Sequence, residues 1–116
     1  MTENKATVER YMDGFNTGDR RLILSCLTND VVWDMPGGFH LVGKKAFERE
    51  IENPAFAGRP KVGVTRVVEE DDVVVAEGTV QVMKRDGGQL NAAFCDVFVM
   101  RGALIRQLTS YLVEVK

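Results

Sequence analysis

The C-terminal half of the chain constrains the fold most, because it reads as four long strands in succession. Each run is rich in β-branched and aromatic residues, and a short segment that contains Gly, Asp or Glu separates it from the next. Short turns join antiparallel neighbours, so the four strands are predicted to form a meander. The predicted strands are residues 61–69, 73–85, 89–100 and 104–115.

The N-terminal half is predicted to be mostly helical. Apolar residues at helical spacing indicate a first helix over residues 3–16 and a second, short helix that follows Gly18 and Asp19. The other predicted elements are a strand over residues 31–35, a third helix over 43–53 and a loop over 55–60.

Helices ahead of a meander predict an α+β domain with the order α-α-β-α-β-β-β-β. In such a domain a curved, mostly antiparallel sheet wraps around the N-terminal helices and forms a cone with an apolar pocket. The 116 residues are expected to form this single domain, residues 1–116.

Composition narrows the class of protein. Apolar residues make up 45% and charged residues 28% of the chain, which is typical of a soluble globular domain. The net charge is -2 and no basic stripe is present, so no nucleic-acid partner is expected. Cys26 and Cys95 fit reduced thiols, which favours a cytoplasmic location. No apolar run approaches the roughly 20 residues that span a bilayer, so no membrane association is expected.

Asp96 is the most informative candidate for a functional residue. The period of a strand places it on one face with Phe94 and Phe98. Burial between two phenyl rings would raise the pKa of this carboxyl, so Asp96 could donate a hydrogen bond as a neutral acid near pH 7. The alternative is a buried carboxyl that a neighbouring hydroxyl or backbone group satisfies.

Tyr11 and Asp34 are the other two ionisable side chains in apolar surroundings. Asp34 is predicted to face the cone together with Val32 and to act as a general base. It could instead be an aspartate at a strand end that accepts backbone hydrogen bonds. Tyr11 lies on the apolar face of the first helix, where it could be catalytic or simply a core ring.

Several short motifs resemble the nuclear transport factor 2-like superfamily, and within it the ketosteroid isomerase and SnoaL-like polyketide cyclase branch. They are, in order, Arg10-Tyr11, Gly18-Asp19, Asn29-Asp30-Val31-Val32-Trp33-Asp34-Met35-Pro36, Val42-Gly43-Lys44, Asp96-Val97 and Tyr111. The resemblance implies that Tyr11 and Asp96 donate hydrogen bonds to an oxyanion while Asp34 is the base. Trp33 stands where an acidic residue is expected, so the sequence departs from the isomerase beside the base.

These observations predict a cofactor-independent proton-transfer enzyme, of isomerase or cyclase type, that acts on a small apolar carbonyl compound through an enol or enolate. The alternatives are a non-catalytic module that binds a small ligand or a partner, and an epoxide hydrolase. No metal and no cofactor are expected, and a homodimer is expected because both faces of the meander carry apolar residues. The residues expected to bind the substrate are Phe15, Val32, Ile51, Phe94, Phe98, Leu108 and Leu112.

Overall fold

The computed structural model describes residues 2–52 and 56–115. Three helices and six strands follow one another in these ranges. They are α1 (Glu3–Thr17), α2 (Arg20–Ser25), β1 (Leu27–Met35), β2 (Phe39–Val42), α3 (Lys44–Ile51), β3 (Phe56–Glu70), β4 (Val73–Lys84), β5 (Gln89–Arg101) and β6 (Leu104–Glu114).

The first two helices begin and end where the local sequence indicates. The hydroxyl of Thr2 accepts a hydrogen bond from the Lys5 amide at 3.1 Å and caps α1. Gly18 ends α1 in the left-handed conformation, with φ of 69°. The carboxylate of Asp19 then accepts the Leu22 amide at 3.0 Å and starts α2. The two helices are therefore joined by a two-residue corner.

The six strands form one curved sheet in the order β2-β1-β6-β5-β4-β3. All neighbours are antiparallel except β1 and β6, which are parallel. Register shifts interrupt the pairing of β3 with β4 and help the sheet to bend. At the bend the two backbones approach closely, since a Cβ atom on Gly78 would lie 2.0 Å from the carbonyl oxygen of Gly63. Only glycine fits at position 78.

One face of the sheet, here called the inner face, packs against the helices and forms the core. Alternation along the strands puts Trp33, Ala76, Phe98 and Leu108 on this face, all of them buried. The helices add Val8, Tyr11 and Met12 from α1, Ile23 from α2 and Phe47 from α3. The opposite, outer face carries the residues between these positions.

The predicted α+β class, with N-terminal helices and a curved, mostly antiparallel sheet, is confirmed, and three local predictions need correction. A short edge strand, β2, lies between the predicted strand and the third helix, where no element was predicted. The first strand begins at Leu27 rather than at residue 31. The predicted loop over residues 55–60 is strand from Phe56 onward, and residues 53–55 lie outside the described residues.

Long-range pairing explains these differences. The start of β3 pairs with the end of β4, at Phe56 with Lys84, although Gly58 and Pro60 locally disfavour a strand. In the same way β2 forms only because β1 offers it an edge to pair with.

Two further properties concern the cysteines and the length of the helices. Both cysteines, Cys26 and Cys95, are free thiols. Within the described ranges, no helix is long and apolar enough to cross a lipid bilayer.

Candidate functional site

A buried carboxyl group lies in the middle of the inner face. Asp96 on β5 and Ser110 on β6 are direct cross-strand partners, and both are buried, with 8% and 5% of their surface exposed. Because Phe98 and Leu108 form the next pair on the same face, the carboxyl borders the apolar core. Trp33 on β1 reaches across and donates its indole N–H to the Ser110 hydroxyl at 3.0 Å.

The protonation of Asp96 is finely balanced. Burial raises the pKa of this carboxyl from 3.8 to about 7, because the charged form loses its hydration. A hydrogen bond from the Ser110 side chain acts in the opposite direction and lowers the pKa. The acid and its carboxylate are therefore both populated near neutral pH, which is the property of an efficient proton-transfer group.

Tyr11 faces this carboxyl from α1. Its ring is buried in edge-to-face contacts with Phe15, Phe47 and Phe98, with centroid separations of 5.1, 6.2 and 5.4 Å. Burial raises the pKa of the phenol well above its usual value, and the negative charges of Asp96 and Cys26 raise it further. Tyr11 is thus a neutral hydrogen-bond donor, and its hydroxyl donates to none of the described residues.

The Asp96–Ser110 pair lies where the core gives way to an open end. Along the inner face of β6 the exposed fraction rises from 0% at Leu108 through 5% at Ser110 to 40% at Leu112. Phe94 is the cross-strand partner of Leu112 and stays mostly buried. Asp96 is therefore one inward-facing position away from solvent-accessible apolar surface.

The residues predicted to bind substrate fall into three groups. Phe94, Phe98 and Leu108 are buried in the core around Asp96. Phe15, Ile51 and Leu112 are partly exposed, and the first two pack against the edge of the core. Val32 differs from the others, because it lies on the outer face, next to the inward-facing Trp33.

Asp34 also lies on the outer face, so its expected orientation towards the cone is wrong. Trp33 pairs with the inward-facing Leu108, and Asp34 pairs with Thr109 on the other side of the sheet. The large apolar indole takes the inner face, and strand alternation then turns Asp34 outward. The structure brings Tyr11 and Asp96 together and leaves Asp34 apart from them.

Asp34 belongs instead to a shallow cleft at the edge of the sheet. Its carboxylate contacts Nδ1 of His40, its cross-strand partner on β2. The cleft has a volume of about 530 Å³ and is lined by Asp34, Met35, Pro36, Gly37, Gly38, Phe39, His40 and Thr109. The side chain of His40 is largely exposed in this cleft.

A second cleft, of about 680 Å³, lies beside the start of α3 and includes Lys44, Lys45 and Arg49. Neither this cleft nor the first one includes Asp96. Within residues 2–52 and 56–115, His, Cys, Asp and Glu side chains form no group of three that could hold a metal ion.

Sequence analysis missed Trp33 and Ser110 as members of the site. For Ser110 a signal was present, because it is a polar residue two positions after Leu108 and would share its face. For Trp33 the run Val31-Val32-Trp33 has no apolar alternation, so the sequence alone does not say which of its side chains point inward.

The architecture is that of the nuclear transport factor 2-like cone, as similar solved structures show. A protein of unknown function from Burkholderia pseudomallei, itself described as NTF2-like, superposes with a TM-score of 0.90 at 20% identity, over 97% of this chain and 92% of that one. An epoxide hydrolase from M. tuberculosis, described as LEH-like, has a TM-score of 0.85 at 17% identity, with 96% and 83% covered. A protein from Kribbella flavida, provisionally assigned as a ketosteroid isomerase, has a TM-score of 0.78 at 17% identity, with 98% and 80% covered.

At these identities the likeness concerns the fold alone, and the neighbours differ in chemistry. Comparison with curated proteins finds no match. The SnoaL-like domain family, however, matches residues 8–108, which is most of the chain. The protein belongs to the SnoaL-like domain family, and the family resemblance seen in the sequence is confirmed.

Proposed function

We propose that the protein is a cofactor-independent proton-transfer enzyme, of isomerase or cyclase type, that acts on a small apolar carbonyl compound. One observation carries the proposal: Asp96 has a pKa of about 7 in an apolar site and faces the neutral phenol of Tyr11. A base and an oxyanion donor are thus side by side at the edge of the core. Purely structural carboxyls seldom lie in such a place, because burying them unpaired costs stability.

In the proposed reaction the carboxylate of Asp96 removes a proton from the carbon next to the carbonyl. The electrons of that C–H bond move to the carbonyl oxygen and form an enolate, to which the Tyr11 hydroxyl donates a hydrogen bond. The protonated Asp96 then returns the proton. An isomerase returns it to another carbon, whereas a cyclase returns it to the oxygen of a second carbonyl that the enolate carbon has attacked.

This mechanism assigns the proton transfer to Asp96 rather than to Asp34. Asp34 is turned to the outer face and is paired with His40, so it lacks both the apolar surroundings and the contact with Tyr11. A single carboxyl can both remove the proton and return it, since its pKa near neutrality lets it do either at similar cost.

The surroundings of Asp96 favour an uncharged substrate. The buried polar residues of the described chain are Thr7, Thr28, Asp96 and Ser110, and none is a cation that could pair with an anionic ligand. The exposed Leu112 at the open end and the partly exposed Phe15 and Ile51 at the edge of the core offer apolar contact instead. An apolar body with one carbonyl group fits these residues.

Epoxide hydrolysis is less well supported by this site. It would use an arginine between two carboxylates, and Arg66 is instead exposed and paired with Glu77 on the outer face, with Nε and Oε1 3.2 Å apart. No second carboxylate accompanies Asp96 among the buried residues of the described chain.

The test is exchange of α-protons for deuterium in D2O, measured by mass spectrometry over a panel of apolar ketones. Asp96→Asn should abolish exchange, because the amide cannot accept the proton. Tyr11→Phe should slow it by about 10² to 10³, the usual effect of removing one oxyanion donor. Asp34→Asn is the matched control and should exchange as fast as the wild type.

Two results would contradict the proposal. If Asp34→Asn loses exchange while Asp96→Asn keeps it, the base is Asp34 rather than Asp96. If no ketone exchanges with the wild type, the second candidate takes its place: a module that binds a small apolar ligand. The exposed apolar side chain of Leu112, the cross-strand partner of Phe94, favours that candidate, and calorimetric titration with the same panel would detect such binding.

A further inference from the structure

The hydrogen bond between Trp33 and Ser110 has a direction that the chemistry of the two groups determines. An indole N–H can only donate, so the Ser110 oxygen is the acceptor in the 3.0 Å contact. The hydroxyl hydrogen of Ser110 is thereby left for another partner. The cross-strand neighbour of Ser110 on the same face is Asp96, whose ionised carboxylate can only accept.

We propose that Trp33 and Ser110 form a hydrogen-bond relay that holds Asp96 ready as a proton acceptor, with Ser110 as its positioning residue. The relay runs from the Trp33 N–H to the Ser110 oxygen, and from the Ser110 O–H to the Asp96 carboxylate. Each donor in such a chain strengthens the next, and the last one favours the charged form of the acid. Without the relay, burial would leave Asp96 mostly protonated, and therefore a poorer base, at neutral pH.

Among the described residues, no other group near Asp96 stabilises its charged form. Tyr11 is the titratable group that faces Asp96 from α1, and Cys26 lies close enough to Tyr11 to affect its pKa. Cys95 precedes Asp96 on β5 and points to the outer face, and the partner on β4 is the apolar Ala76. Of these neighbours Tyr11, Cys26 and Cys95 are neutral until high pH, and burial of the two thiols raises the pKa of each. Within the described ranges, the hydrogen bond from Ser110 alone lowers the pKa of Asp96.

The first test is the titration of Asp96 itself, followed through its carboxyl-carbon NMR shift across a pH series. Ser110→Ala should raise the pKa of Asp96 by about one to two pKa units, the effect of losing one hydrogen bond to a charged group. Ser110→Thr keeps the hydroxyl and should restore the titration. Trp33→Phe keeps a ring to stack on Phe47 and should give a smaller upward change, because Ser110 loses only its fixed orientation.

Thr109→Ala is the matched control, since it removes a hydroxyl from the neighbouring position of β6 on the outer face. It should leave the titration of Asp96 unchanged. The relay is disproved if Ser110→Ala leaves the pKa of Asp96 where it was or lowers it, or if Ser110→Thr titrates like Ser110→Ala. If Ser110→Ala does not fold, Trp33→Phe decides, and an unchanged pKa in that variant disproves the relay.

The catalytic consequence rests on the proposed function and is measured separately. The pH at which exchange reaches half its maximum should move upward in Ser110→Ala by the same amount as the pKa. Exchange at pH 7 should then fall about 5- to 50-fold and recover at higher pH, which a merely misfolded variant would not show. If the wild type exchanges no ketone, the proposed function fails, while the NMR titration still decides whether the relay exists.

Discussion

The buried carboxyl of Asp96 should make the folded protein less stable as the pH rises. Its pKa is raised from 3.8 to about 7 on folding, so between these values the folded chain holds a proton that the unfolded chain has released. The free energy of unfolding should fall with pH across this window. The stabilisation of the folded state by the proton on Asp96 is fully present below pH 3.8 and is lost as the pH passes through about 7.

The size of the effect follows from the same two values. A difference of about three pKa units, at about 1.36 kcal/mol for each, amounts to about 4 kcal/mol of stability lost between pH 4 and pH 8. Such a loss is a large part of the 5 to 15 kcal/mol typical of a domain, roughly speaking. Asp96 is too buried for solvent to screen most of this effect.

This loss of stability can be measured by urea unfolding of the wild type and of Asp96→Asn at a series of pH values. An amide does not titrate here, so the variant should lack this decline and should gain on the wild type by up to about 4 kcal/mol at pH 8. Asp34→Asn should keep the wild-type decline, since it leaves Asp96 unchanged on the other face of the sheet. Equal pH dependence in the wild type and Asp96→Asn would refute the argument, and with it the assignment of Asp96 as a poised acid.

Three further predictions concern the fold and the assembly. Gly78→Ala should destabilise the protein by about 3 kcal/mol or more in urea unfolding, because the added Cβ would collide with the backbone of Gly63. A loss of stability below about 1 kcal/mol would contradict the close approach of the two backbones. Asp19→Ala should cost about 1 kcal/mol by removing the cap of α2, whereas Asp19→Ser should keep most of the stability. The outer face carries the apolar cross-strand pair Val75 and Val97, so we expect a homodimer through this face, which Val97→Asp should dissociate. Sedimentation at micromolar concentration that shows only a 12.9 kDa monomer for the wild type would contradict the dimer.

The local features of this fold could be predicted from the sequence because each depends on neighbouring residues. Thr2 and Asp19 are capping residues, Gly18 adopts the left-handed conformation that ends a helix, and Gly87 and Gly102 occupy turns with positive φ. These signals suffice for the order of helices and long strands. Strand alternation is equally local, and it correctly placed Asp96 on one face with Phe94 and Phe98.

The site depended on contacts that no local pattern encodes. Whether Trp33 or Asp34 turns inward is decided by the room that Phe47 and Leu108 leave for an indole, since alternation allows only one of the two on the inner face. The nearness of Tyr11 to Asp96 likewise depends on how α1 packs across the inner face of the sheet. Ser110 becomes a partner of Asp96 only through the register of β5 with β6, and that register is a property of the assembled sheet.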